Sequence, residues 1–419
     1  MPKKKSKGNK VQVNQSDSLE LASVISLQSD ESETPTASSV DAEDELALQL
    51  VLDKVCSAID SMEEKRTETR VQAVQLLIDS FRLHHLCLDG SWNYTETLVT
   101  SIENNFRKGK PLDQLLAVDL LTIFSLQIDP QEIPIWFERF YPLLEPIVRD
   151  NARGLKLRAS SAVCLSVLQS LSGYCDFISP LEVMKSFEFV FKSSTSKIDT
   201  VEELSNLYVA TLKAWTLVYT FLSAYDAGVV GKAVLPTLLP LLKCSNVDVR
   251  IMAGESSAVI YERIRTEVDD KFKGPYYSEL IHLLGELATD SSKNRSKSDL
   301  KKQRHSFREL MEAVVHCEYP EKSIDFGVEV LTLSSCVAHF HYDFLCSVLG
   351  SGLRCHLREN PHVRDLFDLG QPVMCHQNAA NRKTLKEQKK LNNMLASKTR
   401  TQKLSVYRDK RREMLNEIE

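Results

Sequence analysis

The sequence predicts a mainly α-helical repeat protein. Glycine and proline occur only 14 times each in 419 residues, a composition that suits helices and leaves little for strand-rich folds. In addition, an alanine-centred helical pattern recurs through the first two-thirds of the chain. Helices repeated in this way bury their apolar faces on their neighbours, so we expect an α-solenoid with a long surface for partners.

Each copy of the pattern begins with a polar residue, continues with a small residue and carries an apolar stripe at helical spacing. The copies cover residues 70–81, 114–125, 158–169, 206–217 and 250–261. Their anchoring residues are Ala73, Ala117, Ala162, Ala210 and Ala253, which lie 44, 45, 48 and 43 positions apart. These separations are close to the two-helix period of HEAT and armadillo repeats, roughly 40–47 residues. A large helical bundle would also accommodate five such helices, so the spacing favours the HEAT/armadillo-like solenoid over this alternative.

The N-terminal segment, residues 1–40, is expected to be disordered. From residue 11 to 40 it is rich in Ser, Asp, Glu and Thr and lacks aromatic residues, which is typical of a chain that cannot bury a core. Lys3, Lys4, Lys5 and Lys7 form a basic run that is either a nuclear-import signal or a solvated tip. The repeat domain is expected over residues 41–290, with its first helix starting near Asp41.

Two local patterns within the repeat domain predict details of its helices. Four prolines between positions 130 and 146 crowd one helix and predict that it is kinked or broken. The segment Asn246-Val247-Asp248-Val249-Arg250 resembles the turn before the second helix of a HEAT unit. We expect Asp248 to cap that helix and Arg250 to pair with an acidic residue of the next unit.

The repeat phase is lost beyond residue 290. Residues 291–304 are expected to be an exposed basic linker, and a helix is expected to start at residue 300 and continue to residue 316. The basic patch of this region is formed by Lys293, Arg295, Lys297, Lys301, Lys302, Arg304 and Arg308. On charge alone, these side chains are either phosphate contacts or solvated charges of a linker.

Residues 305–376 are expected to form a small, compact α+β cap that packs on the last repeat. Residues 324–326 and 328–333 alternate well enough for two short strands. Helices are expected to resume over residues 338–349 and 352–357.

Composition and charge narrow the class of protein. Hydrophobic residues make up 43% and charged residues 26% of the chain, values that are ordinary for a soluble globular protein. No apolar run approaches the ~20 residues needed to cross a bilayer, and the polar N-terminus is not a signal peptide. We therefore expect no membrane partner, and we expect the ten cysteines to be reduced thiols of an intracellular protein.

Searches for catalytic and metal-binding motifs find none. The chain lacks a glycine-rich phosphate loop, a His-Glu-x-x-His pair and a nucleophile elbow, so we expect no enzymatic activity, no cofactor and no small-molecule substrate. Cys336 and His339 could share a helical face and bind zinc, but there is no Cys-x-x-Cys pair to complete a structural site. The interpretation is that no metal is bound.

The C-terminal tail, residues 377–419, is strongly basic. Between Arg382 and Arg412 there are twelve Lys and Arg against two acidic residues, a net charge of +10, so the rest of the chain carries −15 within a total of −5. An acidic body with one basic end is expected when that end meets nucleic acid. The tail contains neither Gly nor Pro, and its few apolar residues predict a helix that orders only on a partner. The alternative is a disordered basic tail without a dedicated target.

The candidate RNA-binding residues follow from this charge, because Lys and Arg neutralise phosphates and Tyr407 could stack on a base. They are Arg382, Lys383, Lys386, Lys389, Lys390, Lys398, Arg400, Lys403, Tyr407, Arg408, Lys410, Arg411 and Arg412, together with Lys301, Lys302 and Arg304.

Many short blocks in the C-terminal third occur in one characteristic order. They are Leu287-Ala-Thr-Asp-Ser-Ser292, Lys301-Lys-Gln-Arg304 with Phe307-Arg308, Phe326-Gly327, Tyr342-Asp343, Val348-Leu-Gly-Ser-Gly352, His356-Leu357, Leu369-Gly370 with Pro372-Val-Met374, and Arg408-Asp-Lys-Arg411. In this order the chain resembles the interferon-related developmental regulator family. The resemblance is strongest over about residues 280–411 and looser across the repeats.

The resemblance implies a helical-repeat regulator without catalytic activity. Members of the family are associated with transcriptional co-regulation through co-repressor complexes, and with inactive ribosomes on which translation is held off. In the ribosome-bound mode, the family's basic C-terminal segment enters the mRNA path of the small subunit. The resemblance carries this role onto Lys398, Arg400, Lys403, Arg408, Lys410 and Arg411.

The chain departs from the family pattern in two places. Gln402, Leu404 and Val406 stand where the family tends to place basic residues, and residues 413–419 are acidic. Both departures bear on how strongly the tail binds RNA.

Two functions are compatible with these features. The first is a ribosome-associated translational repressor whose tail contacts rRNA and occludes the mRNA path. The second is a nuclear transcriptional co-regulator whose repeat surface docks protein partners such as co-repressor complexes. Both cytoplasm and nucleus are therefore expected locations. An import-receptor-like carrier would fit the repeats but does not explain the basic tail.

Overall fold

The computed structural model describes residues 37–86, 88, 92–173, 178–193, 202–290, 296–327 and 329–372, with side chains from Leu48 onward. The chain divides into two compact units, residues 48–375 and the two termini together, residues 1–47 with 376–419. The contacts given below are those of the first unit. The predictions for residues 1–36 and for the tail lie outside the described residues.

The repeat region is an array of paired α-helices. These helices are α1 (Ala37–Ser61), α2 (Thr67–Leu83), α3 (Thr95–Lys108), α4 (Pro111–Phe124), α5 (Ile133–Arg149), α6 (Leu155–Ser172), α7 (Pro180–Phe191), α8 (Glu202–Thr220), α9 (Ala224–Leu242), α10 (Val247–Glu267), α11 (Tyr277–Thr289) and α12 (Lys297–His316). Even-numbered helices pack on one another in order along the array, and each odd-numbered helix from α3 to α11 packs on the even-numbered helix that follows it. The predicted solenoid-like helical fold is confirmed. Its first helix begins at Ala37 instead of near Asp41.

The small residues of the repeated pattern lie where the even-numbered helices approach each other. Ala117, Ala162 and Ala253 are fully buried, and Ala73 is 6% exposed. Ala210 is only half-buried. A side chain larger than a methyl group at the buried positions would push adjacent helices apart, which explains why alanine recurs at this phase.

In several copies of the pattern, the first polar residue is an arginine that forms hydrogen bonds to the backbone just before its own helix. Arg70 Nη1 donates to the carbonyl oxygens of Glu64 and Lys65 at 3.0 and 3.1 Å, and Arg158 Nε donates to the Val148 oxygen at 3.0 Å. The last carbonyls of a helix lack partners within it. These arginines therefore stabilise the ends of the preceding helices and their turns.

The turn before α10 is built differently from the prediction. Asn246, and not Asp248, caps the helix, because its Oδ1 accepts from the amides of Asp248 and Val249 at 3.0 and 3.1 Å. Arg250 does reach the next pair of helices, where its Nη2 donates to the side-chain oxygen of Gln303.

The proline-rich helix α5 is continuous from Ile133 to Arg149, so of the two predicted outcomes, kinked or broken, the break is wrong. Pro142 and Pro146 lie inside it, and both are exposed, as is Glu138 one turn earlier. Each proline leaves the carbonyl four residues before it without an amide donor. Here the affected carbonyls belong to residues on the solvent side, where water replaces the lost bond.

The array includes a sixth helix pair, α11 and α12, beyond the five copies of the repeated pattern. Residues 297–304, expected as linker, form the first part of α12, which is capped by Ser296 Oγ accepting from the Asp299 amide at 3.0 Å. Phe307 and Leu310 of α12 are buried. A Cβ added at Gly254 of α10 would lie 2.8 Å from the Leu310 side chain, so α12 packs closely on α10.

A two-stranded hairpin follows the array. Strands β1 (Lys322–Asp325) and β2 (Val330–Leu333) pair antiparallel with Ile324 opposite Leu331. Both strands lie within two residues of their predicted positions.

The segment after the hairpin packs on the last predicted repeat, as expected, but it also extends further along the array. It consists of α13 (Cys336–Leu349), a 3₁₀ turn (Gly350–Gly352), α14 (Leu353–Glu359) and α15 (Pro361–Leu366). We call residues 336–366 the strap. Helix α13 packs on α10, α8 and α2, and α14 packs on α2. The strap therefore returns along the array to its first repeat.

Hydrogen bonds to helix ends hold the strap in place. His356 Nε2 donates to the carbonyl oxygens of Phe81 and Arg82 in the last turn of α2, at 3.2 Å each. Asn360 Nδ2 donates to the Leu126 oxygen at 2.7 Å, and His362 Nε2 donates to the Ile128 oxygen at 2.7 Å. These carbonyls lie in the last turn of α2 and just after the end of α4, so the strap supplies donors that the helices lack.

The histidines of this interface are held in the neutral form. Burial lowers the pKa of His356 and that of His341 to about 4, and it also lowers the pKa of His362. For His356 the geometry agrees, because its Nδ1 accepts from Asn360 Nδ2 at 2.9 Å. A proton on Nδ1 would set two donors against each other and break this bond.

One array helix, α9, is long and apolar enough, at 19 residues, to pass a length-and-composition test for crossing a membrane. This corrects the expectation that no apolar run approaches that length. Its apolar side chains Val234, Leu235 and Leu238 are buried, and the helix packs on α10. This packing explains its composition as that of an array helix.

Enlarging the buried alanines should destabilise the array. We expect Ala117→Leu or Ala162→Leu to lower the free energy of unfolding by about 1–3 kcal/mol through overpacking, measured by chemical denaturation. Ala210→Leu is the matched control, because Ala210 is half-buried and should tolerate the added volume better. Equal stability of all three variants and the native chain would contradict the described packing.

Acidification should destabilise the strap. Since the folded pKa values of His341 and His356 lie near 4, below the ordinary 6.5, the unfolded chain binds more protons between these values. Stability is therefore complete above about pH 6.5 and falls as the pH drops towards 4, by up to about 1.4 kcal/mol per pH unit for each histidine. Thermal unfolding at pH 7.0 and 5.5 measures this loss.

The contribution of His356 is tested with His356→Gln. We expect this variant to be less stable at pH 7.0 but to lose less stability on acidification. His282→Gln, at an exposed side chain, should retain the native pH dependence. A native pH dependence in His356→Gln would show that the strap histidine is not the titrating group.

Candidate functional site

Four cationic side chains lie along one face of α12. Lys297, Lys301, Arg304 and Arg308 follow one another at intervals of four, three and four residues, which places them on successive helical turns over about 16 Å. Three of these side chains are exposed, and that of Arg304 is half-buried. We call these four residues the α12 stripe.

The packing of α12 fixes the direction in which the stripe points. Phe307, Leu310 and Val314 are buried on a different face of the helix. Gln303 is also fully buried, and its Nε2 donates to the Leu287 oxygen at 3.1 Å and to Asp290 Oδ2 at 3.2 Å. The core side chains and this buried amide prevent α12 from rotating, so the stripe remains presented to solvent.

The charges of the stripe are available to a ligand. Within the part of the chain that the structure describes, none of its four cations forms an ion pair with a carboxylate. Lys301, Arg304 and Arg308 line a surface groove of about 550 Å³ with His305 and Glu309. Glu309, the acidic residue of this groove, lies 3.4 Å from His305 Nδ1. The groove therefore presents a surplus of positive charge.

The structure separates the three candidate residues predicted in this region. Lys301 and Arg304 lie together in the stripe, as expected of a shared phosphate site. Lys302 points away, and its Nζ forms an ion pair with Asp248 Oδ1 of α10 at 2.6 Å. Lys302 thus joins two even-numbered helices through an ion pair, and its predicted role as an RNA contact stays a prediction.

Lys297 and Arg308 were part of the basic patch seen in the sequence, although they were not among the named candidate contacts. The four-three-four spacing that aligns them with Lys301 and Arg304 has meaning only on a helix that already includes Lys297.

The other predicted site residues lie outside the described residues. They are the tail candidates from Arg382 to Arg412 and the import candidates Lys3, Lys4, Lys5 and Lys7. The candidate zinc ligands Cys336 and His339 are described. The Cys336 thiol is buried, which raises its pKa, and His339 Nδ1 contacts the Ser335 oxygen at 2.9 Å. Within the described ranges, no group of three His, Cys, Asp or Glu side chains is placed to hold a metal ion.

The chemistry of the stripe suits a polyanion with regularly spaced charges. One cation per helical turn repeats about every 5.4 Å, and lysine and arginine on such a surface bind phosphates while releasing counterions. In addition, the guanidinium groups of Arg304 and Arg308 can each bind a phosphate through two parallel hydrogen bonds.

Comparison with known proteins gives two family matches. The model described as interferon-related developmental regulator matches residues 21–315, which include the α12 stripe. The model described as interferon-related protein conserved region matches residues 360–412, which begin in the strap and include most of the tail.

Several similar proteins are named interferon-related developmental regulator 1 or 2. Interferon-related developmental regulator 1 of Mus musculus is 33% identical over 379 residues, covering 85% of this chain and 81% of that protein. The Homo sapiens protein of the same name is 32% identical and covers 85% and 80%. Interferon-related developmental regulator 2 of Mus musculus is 32% identical over 376 residues and covers 87% and 83%. Among solved structures, an engineered protein aligns at 14% identity with a TM-score of 0.38, which is too low to support an argument.

Proposed function

This chain belongs to the interferon-related developmental regulator family, and we propose that it is a ribosome-associated regulator that represses translation by contacting rRNA. In this proposal the basic tail is the principal RNA-binding element, and the α12 stripe is a second contact. The tail occupies the mRNA path of the small subunit, so the bound ribosome cannot accept a message. The proposal involves no catalytic step.

The observation that carries the proposal is the α12 stripe. Four cations without an ion-pair partner among the described residues stand in line on a chain whose body, outside residues 382–412, carries a net charge of −15. Acidic residues on a neighbouring helix could have paired with these cations, as Asp248 pairs with Lys302. Its position on a fixed helix supports a role in binding an anionic backbone.

The tail supports the same proposal by composition. Its twelve cations in 31 residues can neutralise many phosphates, and this electrostatic term does not depend on RNA sequence. Ribosomal RNA offers a dense array of phosphates and unpaired bases, and Tyr407 is suited to stack on such a base.

A second candidate function rests on a different surface. Tyr225, Val229 and Val268 are 79%, 53% and 45% exposed, and Val268 lies 3.5 Å from the position of a Cβ on Gly228, between Tyr225 and Val229 along α9. Adjacent exposed apolar side chains mark protein–protein contacts. They favour the nuclear co-regulator hypothesis, in which the array docks co-repressor proteins and Lys3, Lys4, Lys5 and Lys7 direct import.

Reversing the tail charge should abolish ribosome binding. We expect the triple change Arg408→Glu, Lys410→Glu and Arg411→Glu to eliminate co-sedimentation with small ribosomal subunits. Native binding that uses about 6–10 phosphate contacts should itself weaken roughly 10³–10⁵-fold between 50 and 200 mM salt. Unchanged binding and salt response in the triple variant would overturn the translational proposal in favour of the co-regulator.

Neutralising the stripe should have a smaller, measurable effect. We expect Lys301→Gln with Arg304→Gln and Arg308→Gln to weaken subunit binding and to reduce the slope of log K against log salt by about 2–3, one unit for each lost phosphate contact. Lys302→Gln is the matched control on the same helix, because Lys302 is paired with Asp248. An equal loss in Lys302→Gln would mean that the stripe is not a specific contact.

A further inference from the structure

Arg364, near the C-terminal end of the described residues, carries a buried guanidinium group. Arg364 of α15 has no exposed surface, although arginine is rarely buried without partners. Its Nη1 and Nη2 each donate to a different carboxylate oxygen of Glu329 at 2.9 Å. Glu329 lies between β1 and β2, so this bidentate ion pair fixes α15 to the hairpin.

The same guanidinium also holds the segment that precedes the tail. Its Nε donates to the Gly370 oxygen at 2.8 Å, and Nη2 donates to the oxygens of Leu369 and Gln371 at 2.9 and 3.1 Å. Nη1 donates to the Leu357 oxygen at the end of α14 at 2.8 Å. Hydrogen bonds to three consecutive carbonyls determine the path of residues 369–371.

The helix that carries Arg364 is itself fixed to the array. Asn360 caps α15 through Oδ1, which accepts from the Val363 amide at 3.3 Å, and its Nδ2 donates to Leu126 after α4. His362 donates to Ile128. The chain therefore leaves residue 371 from a point that is tied to the hairpin on one side and to the second helix pair on the other.

One family match spans Arg364 and the tail together. The conserved-region model covers residues 360–412, which run from Asn360 through Arg364 to the last basic residues of the tail. It leaves out the hairpin with Glu329. Arg364, the segment 369–371 and the basic tail thus belong to one unit of the family pattern.

We propose that Arg364 is a positioning residue for RNA binding. By fixing the path of residues 369–371 on the array, it anchors the base of the tail at a constant distance from the α12 stripe. The proposal rests on the proposed function, in which tail and stripe bind the same RNA. Arg364 is fully buried and contacts no RNA itself.

The physical basis is effective concentration. When one of two linked contacts is made, the second binds at a local concentration set by the length and stiffness of the connection. In sequence, nine residues, 373–381, separate the described chain from the first tail cation at Arg382. Releasing the starting point adds residues to the segment that joins the two contacts and lowers affinity, but it removes no phosphate contact.

This mechanism predicts that a longer connection lowers the affinity for the subunits without changing the salt dependence of binding. Placing a Gly/Ser insert of about 27 residues between Pro372 and Val373 lengthens the connection about fourfold. Local concentration falls with roughly the three-halves power of length, so binding of the full-length protein to salt-washed small ribosomal subunits should weaken roughly eightfold. The slope of log K against log salt should stay unchanged, because the same cations bind the same phosphates.

Two further variants complete the experiment. Arg364→Lys keeps the positive charge, but lysine cannot form the bidentate pair with Glu329 or the hydrogen bonds to the carbonyls of residues 369–371. We therefore expect this variant to bind the subunits more weakly, like the insertion variant, with an unchanged salt slope. The same insert placed after Glu419 is the matched control, since it adds equal flexible chain without lengthening the connection. Thermal unfolding establishes that the insertion variants are folded.

The outcomes separate this inference from the proposed function. If the native protein shows no salt-dependent binding to the subunits, the proposed function fails. If it binds, and the insertion after Pro372 binds with native affinity, then the positioning role of Arg364 is wrong while the proposed function stands. That conclusion holds even if Arg364→Lys binds poorly, because its defect would then come from lost stability. A reduced salt slope in the insertion variant would also contradict positioning.

Discussion

The architecture depends on satisfying the carbonyl groups at the ends of the even-numbered helices. Every α-helix leaves its last carbonyls without internal donors, and a buried carbonyl without a donor costs about 1–3 kcal/mol. At the end of α2 the donors come from two sources. Gln127 after α4 donates to the oxygens of Phe81 and His84 at 2.7 and 2.8 Å, and His356 of the strap donates to the oxygens of Phe81 and Arg82. Neighbouring repeats and the strap are therefore joined through the same few atoms.

The sequence predicted what depends on local periodicity. The five alanine-centred helices and the hairpin were visible because their spacing and alternation are properties of adjacent residues. The helix α12 was predicted from residue 300 onward, but its first residues were assigned to a linker because they are polar and basic. Helices α13 and α14 of the strap were also predicted, but their packing along the array was not. The contacts of the strap join residues more than 230 positions apart, and the histidines and Asn360 that make them carry no local signal.

The candidate site was also predicted only as far as local sequence patterns allow. Charge alone identified the region, but it could not distinguish Lys301, which is free to bind an anion, from Lys302, which is paired with Asp248. That distinction follows from how α12 is rotated against α10 and α11, and the buried Phe307 and Gln303 determine the rotation. Within the described residues, the helical array thus contributes by rigidity. It holds a row of cations in one orientation and holds the base of the tail at one point.

The long return of the strap has a consequence for synthesis. The carbonyl of Phe81 receives its bond from His356, 275 residues later in the chain. At translation rates of about 5–20 residues per second, roughly 15 to 55 seconds pass between the emergence of the two partners. During that interval the end of α2 has neither its strap donor nor the apolar cover of α13 and α14. The nascent first repeat is therefore an incomplete folding unit, and it acquires its native environment only when the last helices of the array are already made.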